Sequence, residues 1–131
     1  MQTEQLPAVT EPASPTAFCP RYHRAVELIG RRWTGAILRV LLSGAKRFSD
    51  IADTVPGLSD RLLSERLKEL EHEKIVVRRV IPDTPVRVEY HLTDKGRALL
   101  PVVEAVSAWA EEWGGDPLPN EVACAPDGAD C

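Results

Sequence analysis

Residues 18 to 29 read FCPRYHRAVELI, a cysteine directly before a proline with Arg21, His23 and Arg24 close behind. The reactive form of cysteine is the thiolate, and helix N-termini and nearby cations stabilise it. Proline suits the first turn of a helix. Cys19 is therefore expected at or next to the N-cap of a helix that begins at Pro20 and stops near Gly30. That setting favours oxidation to a sulfenic acid and then to a disulfide. The competing reading is a small, buried, inert cysteine chosen for its size. Cys19 and His23 also stand at i and i+4, enough for two metal ligands. A structural zinc site takes about four, however, and His72 and His91 have no companion ligands in sequence. Neither a metal nor another cofactor is expected. Nor is an enzyme, because the chain has no glycine-rich phosphate loop and no recognisable nucleophile motif.

A second constellation lies in SDRLLSERLKELEHEK, residues 59–74. Leu63, Leu67 and Leu70 recur at i, i+4 and i+7 and line one face of a helix that starts after the N-cap Ser59 and runs to about Glu73. The other face carries Arg61, Ser64, Glu65, Lys68 and His72. A short helix expected over Asp50 to Val55, capped by Ser49, precedes it across the tight turn at Pro56–Gly57. Two helices so joined form a helix-turn-helix, whose second helix enters the DNA major groove. Arg61 matches the paired acceptors of guanine, Ser64 a base or a phosphate, and Lys68 a phosphate. A merely solvated helix face would carry the same residue types.

The remaining elements decide between those readings. Helix two, about Trp33 to Leu42, turns Ile37, Leu38, Leu41 and Leu42 inward and ends at Gly44. After the leucine-striped helix, IVVRRVIP and VRVEYHLT are rich in β-branched residues and form two strands joined around Asp83–Thr84–Pro85. A hairpin there, with Arg78, Arg79 and Arg87, is suited to act as a wing along the DNA backbone. Thr93 caps a last helix running to Gly114–Gly115. Its Leu99, Val102, Val106, Trp109 and Trp113 are spaced 3, 4, 3, 4, the seam of a helix pair, and Pro101 should kink it. Two tryptophans near a terminus favour an interface. The expected fold is mainly α with a two-stranded wing, forming a homodimer through helix one, with Tyr22 and Val26, and the C-terminal helix.

Charge is distributed accordingly. The net charge of the 131 residues is −4, but residues 19–97 hold all 16 Lys and Arg against eleven acids, a net of +5. Residues 1–18 are expected to be a flexible arm, 19–114 the folded domain and 115–131 an acidic flexible tail with Cys124 and Cys131. As thiols in such a tail, those two cysteines could resolve a Cys19 sulfenic acid, but the sequence assigns them no role. No secretory signal and no apolar run of about 18 residues is visible, so a cytoplasmic protein with no membrane partner is expected.

Residues 18–113 resemble the HxlR-type winged helix-turn-helix regulators, a bacterial group related to MarR. The resemblance rests on the leading CP and on IGRRWT, RFSDI, PGLSDRLLSERLKELE, RVEYHLTDKGRAL and the closing W. It implies a dimeric transcription regulator binding double-stranded operator DNA. Ser59, Arg61, Ser64 and Lys68 would then lie at the DNA face and Arg87 in the wing. Several members of this family sense oxidants or electrophiles through a cysteine where Cys19 stands; others answer different signals. The expected function is therefore a redox- or electrophile-responsive repressor in which Cys19 oxidation re-spaces the recognition helices. The alternative is a regulator responsive to a small molecule, with Cys19 structural.

Overall fold

A computed structural model describes residues 17–116, and the chain divides into two units, residues 1–32 and 33–131. Most of the expected arm and tail, with Cys124 and Cys131, lies outside the described residues.

The first unit contains one described helix, α1 (Pro20–Ile29). Cys19 is its N-cap in extended conformation, and the Tyr22 N–H donates to Cys19 Sγ at 3.4 Å.

The second unit holds α2 (Thr34–Leu42), α3 (Phe48–Thr54), α4 (Asp60–His72), β1 (Val76–Ile81), β2 (Arg87–Leu92), α5 (Asp94–Arg97) and α6 (Leu100–Trp113). Its core forms where the apolar stripes meet. Ile37 and Leu38 of α2, Ile51 of α3, Leu63, Leu67 and Leu70 of α4, and Ile75 and Val76 at the start of β1 are all nearly or fully excluded from water. Completely burying one such side chain contributes about 1.5–3 kcal/mol. The leucine stripe thus faces the core as its spacing predicts. Gly57 in the turn before α4 has φ of 83°, a left-handed conformation that glycine adopts without strain. Ser59 then caps α4, accepting the Leu62 N–H at 3.1 Å.

The sheet is the antiparallel pair β1–β2, with Val76 opposite Leu92 and Ile81 opposite Arg87. A further contact enlarges it. The Tyr90 N–H donates to the Lys46 carbonyl at 2.8 Å, and Arg47 forms a bridge with Glu89. This pairing moves the start of α3. Its N-cap is Arg47 rather than Ser49, because the chain leaves the sheet edge at that point and turns directly into the helix.

The C-terminal helix also departs from the expectation of one kinked rod. It is two helices, α5 and α6, separated at Ala98–Leu99. Pro101 lacks an N–H, so a continuous helix would leave the Arg97 carbonyl without its donor. The chain instead makes a tight turn, with Leu99 N–H on the Gly96 carbonyl at 3.0 Å. Pro101 then falls in the first turn of α6, where the missing donor costs nothing. Thr93 caps α5 through Gly96 N–H at 3.1 Å while its hydroxyl donates to the Lys74 carbonyl at 2.6 Å. Among the described residues no helix is long and apolar enough to cross a membrane.

Candidate DNA-binding face and cysteine site

Burial on one side of α4 dictates what the other side offers. With Leu63, Leu67 and Leu70 inside, Arg61 and Lys68 are exposed and Ser64 is half-buried along the outer face. Arg61 is almost fully extended into solvent, its side chain 89% exposed, and Glu65 lies 3.5 Å away one turn on. An exposed pair of this kind contributes about 0–1 kcal/mol, so a stronger acceptor can displace it. Ser59 stays committed to its cap. Arg66, on the inner side, is buried beside Glu69, a charged core position that the leucine periodicity concealed.

Arg87 occupies a different setting from an open wing arginine. At the start of β2 it is held by Asp83, and its Nε donates to Glu89 at 3.1 Å. The other Glu89 oxygen accepts from His91 Nε2 at 2.8 Å. Arg87, Glu89 and His91 alternate along β2 and so share one face of the strand. The His91 hydrogen bond, and then Arg87, hold the Glu89 carboxyl below the usual glutamate range, while Glu89 raises Arg87. A carboxyl whose folded value is depressed stabilises the fold above its unfolded value and loses that contribution as pH falls through the folded one. This network escaped the sequence reading, although charges at i, i+2 and i+4 in a strand were its visible trace.

Arg78 and Arg79 on β1 are exposed, and neither forms an ion pair within the described residues. Together with Arg61 and Lys68 they supply exposed positive charge. Replacing Arg61 with alanine is therefore expected to relax preference at one base position at a cost of about 1–3 kcal/mol, with the fold unchanged. Competition binding against operator variants measures it; an unaltered preference at every base would move the reading face off Arg61.

In the first unit, Cys19 is a free, exposed thiol, and the Phe18 and His23 rings lie 5.3 Å apart beside it. The buried-cysteine reading does not hold for the single chain. Tyr22 and Val26 of α1 are exposed as well. On α6, Arg39 of α2 hydrogen-bonds Ser107, so one side of the helix rests on its own domain. Val102, Val106, Trp109 and Trp113 project into solvent, and Leu99 is half-buried at the helix start. Among the described residues no group of three or more His, Cys, Asp or Glu is arranged to hold a metal.

A helix-turn-helix followed by a two-stranded hairpin, with Arg61 and Lys68 exposed on the second helix, defines a winged helix-turn-helix DNA-binding regulator of transcription. The family model described as HxlR-like helix-turn-helix matches residues 28–117, and the chain belongs to that family. It is 56% identical over 96 residues to the uncharacterised HTH-type transcriptional regulator YvaP of Bacillus subtilis (strain 168), covering 73% of this chain and 89% of YvaP. It is 50% identical over 96 residues to the HTH-type transcriptional regulator YodB of the same organism, covering 73% of this chain and 86% of YodB. The reduced form of YodB superposes with a TM-score of 0.66 over 76% of this chain and 99% of that one, at 48% identity. YodB has also been solved diamide-treated and quinone-bound. The redox regulator HypR in its reduced form matches with a TM-score of 0.66 at 35% identity, over 70% of this chain and 91% of that one.

Proposed function

We propose that this protein is a homodimeric repressor that binds operator DNA when Cys19 is reduced and releases it when Cys19 is oxidised or alkylated. The observation that carries this reading is the exposed Cys19 thiol at the N-cap of α1, its sulfur already accepting a backbone N–H. A group so placed is accessible to reagents and sits at the positive end of a helix. The existence of diamide-treated and quinone-bound forms of YodB, and of reduced and oxidised HypR, supports the same assignment.

Two chemistries fit. Two Cys19 thiolates can join as a disulfide, giving two electrons to an oxidant such as diamide, whose N=N bond takes up two protons from water and becomes a hydrazine. Alternatively one thiolate adds to a quinone ring carbon, and the resulting hydroquinone oxygen takes up a proton from water. Either product at a dimer contact alters the distance between the two α4 helices. A two-fold operator has half-sites about one helical turn apart, so that distance sets specific binding. Ser59, Arg61, Ser64 and Lys68 carry the DNA face of α4, with Arg87 in the wing.

The dimer forms through Tyr22 and Val26 of α1 and through Leu99, Val102, Val106, Trp109 and Trp113. Val106→Asp places a charge in the middle of that contact, where an unpaired buried charge costs several kcal/mol. The variant is expected to run as a monomer in light scattering and to lose at least about tenfold in DNA affinity, since one half-site remains. A dimeric Val106→Asp with full affinity overturns the interface. Non-reducing electrophoresis with and without oxidant, paired with DNA binding on the same samples, tests the switch itself.

A further inference from the structure

Helix α4 ends in a conformation that its own sequence does not favour. Lys74, just past the C-cap Glu73, has φ of 65°, the left-handed region in which glycine usually closes a helix. Two backbone bonds complete the turn, Lys74 N–H to the Glu71 carbonyl at 3.0 Å and Ile75 N–H to the Leu70 carbonyl at 2.9 Å. A residue with a side chain keeps such a backbone only where its surroundings hold it there. The hold comes from α5. Three consecutive carbonyls at the end of α4 accept from one short segment: Glu73 from Lys95 Nζ at 2.7 Å, Lys74 from the Thr93 hydroxyl at 2.6 Å, and Ile75 from the Thr93 N–H at 3.0 Å. The Thr93 hydroxyl also accepts the Gly96 N–H, so one side chain serves both helices.

The other end of this segment leads into α6 without slack. Ala98 N–H donates to the Asp94 carbonyl, Leu99 N–H to the Gly96 carbonyl and Val103 N–H to the Leu99 carbonyl, each at 3.0 Å. Continuous hydrogen bonding through residues 93–99 therefore joins the end of α4 to the start of α6. Val102, Val106, Trp109 and Trp113 on α6 are exposed and belong to the dimer contact proposed above. In a dimer held by α6, the separation of the two α4 helices depends on the angle at this joint. A second tie, between Arg39 of α2 and Ser107, holds α6 further along its length.

We propose that Thr93 and Lys95 are positioning residues that fix α4 to α6 and so set the half-site spacing that the dimer accepts. The proposal rests on the homodimeric DNA-binding reading and requires no contact of either side chain with DNA.

To test it, the full chain first selects its site from a randomised duplex library of about 30 base pairs, long enough for two half-sites one helical turn apart. Inserting or deleting one base pair at the centre moves a half-site by about 3.4 Å along the axis and about 35° around it. The parent protein is expected to bind both altered duplexes at least about tenfold more weakly than the selected one. In Lys95→Met, which keeps the stem and loses the donor, that penalty should shrink by about 2- to 10-fold, the scale of a residue that couples two elements. Lys95→Arg restores a donor and should restore the penalty. Thr93→Val should act in the direction of Lys95→Met, and Thr93→Ser like the parent. Should Thr93→Val fail to fold, Lys95→Met, at an exposed position, carries the test alone. On a mixed-sequence duplex all four variants should keep the parent's slope of log K against log salt.

An unchanged spacing penalty in Lys95→Met, whatever its affinity, with the dimer intact in light scattering, would overturn the joint and spare the DNA and dimer readings. A salt slope reduced by about one would identify Lys95 as a phosphate contact and overturn its positioning role. A penalty that shrinks in Ser107→Ala and not in Lys95→Met would place the coupling in α2 instead. A parent that runs as a monomer, or selects a single half-site, would overturn the dimer reading and the joint together.

Discussion

Cys19→Ser is expected to bind operator DNA within about twofold of the parent protein, as an isolated exposed substitution allows, and to stay bound when diamide, hypochlorite or a quinone is added. The first half follows from the N-cap. Cys19 Sγ accepts the Tyr22 N–H, and serine is among the preferred residues for that task. The hydroxyl therefore keeps the start of α1 intact while removing the only atom that can be oxidised or alkylated there. Cys19→Ala would confuse the two effects, since losing a cap costs about 1 kcal/mol by itself. The measurement is a gel shift with an oxidant titration, alongside non-reducing electrophoresis. If Cys19→Ser leaves DNA at the same oxidant concentration as the parent, the reactive group lies elsewhere.

Gly96→Ala is expected to destabilise the second unit severely. A methyl group at Gly96 would sit 2.3 Å from the Ile75 carbonyl oxygen and 2.9 Å from Leu92 Cδ2. The Ile75 carbonyl cannot withdraw without loss, because it already accepts the Thr93 N–H at 3.0 Å and the Thr93 hydroxyl at 3.2 Å. Forcing an extra carbon into packed surroundings costs about 1–3 kcal/mol even where neighbours can shift, and backbone resists more than a side chain. Each kcal/mol lowers Tm by about 4–8 °C in a domain of this size. Thermal unfolding followed by circular dichroism should show a loss of at least about 4 °C on that scale. A change within error would mean that α5 is seated more loosely on Ile75 and β2 than its contacts indicate.

Much of this arrangement was written in local periodicity. Leu63, Leu67 and Leu70 had to turn inward together because their spacing follows the helix repeat, and Arg61 and Lys68 were thereby left outside. Ser59 and Thr93 announced helix starts through side chains that accept backbone N–H groups, and both do so. The features that escaped depend on partners distant in sequence. Arg47 begins α3 because it meets Glu89, 42 positions away, and no pattern around residue 47 encodes that meeting. Arg87 looked like free charge next to a turn, whereas two carboxylates hold it. Pro101 announces a break in the helix but not its extent. Its missing donor ended one helix and began another, since a fresh start wastes no hydrogen bond.

The pairing of Lys46 and Arg47 with β2 ties the hairpin mechanically to the helix-turn-helix. The strand edge carries the N-cap of α3 like the pin of a lever, and only the short turn after Thr54 separates that helix from Ser59 and α4. A displacement at either end is transmitted to the other. The seating of the hairpin and the aim of α4 are therefore expected to be coupled, so that loosening the hairpin tilts the recognition helix as well.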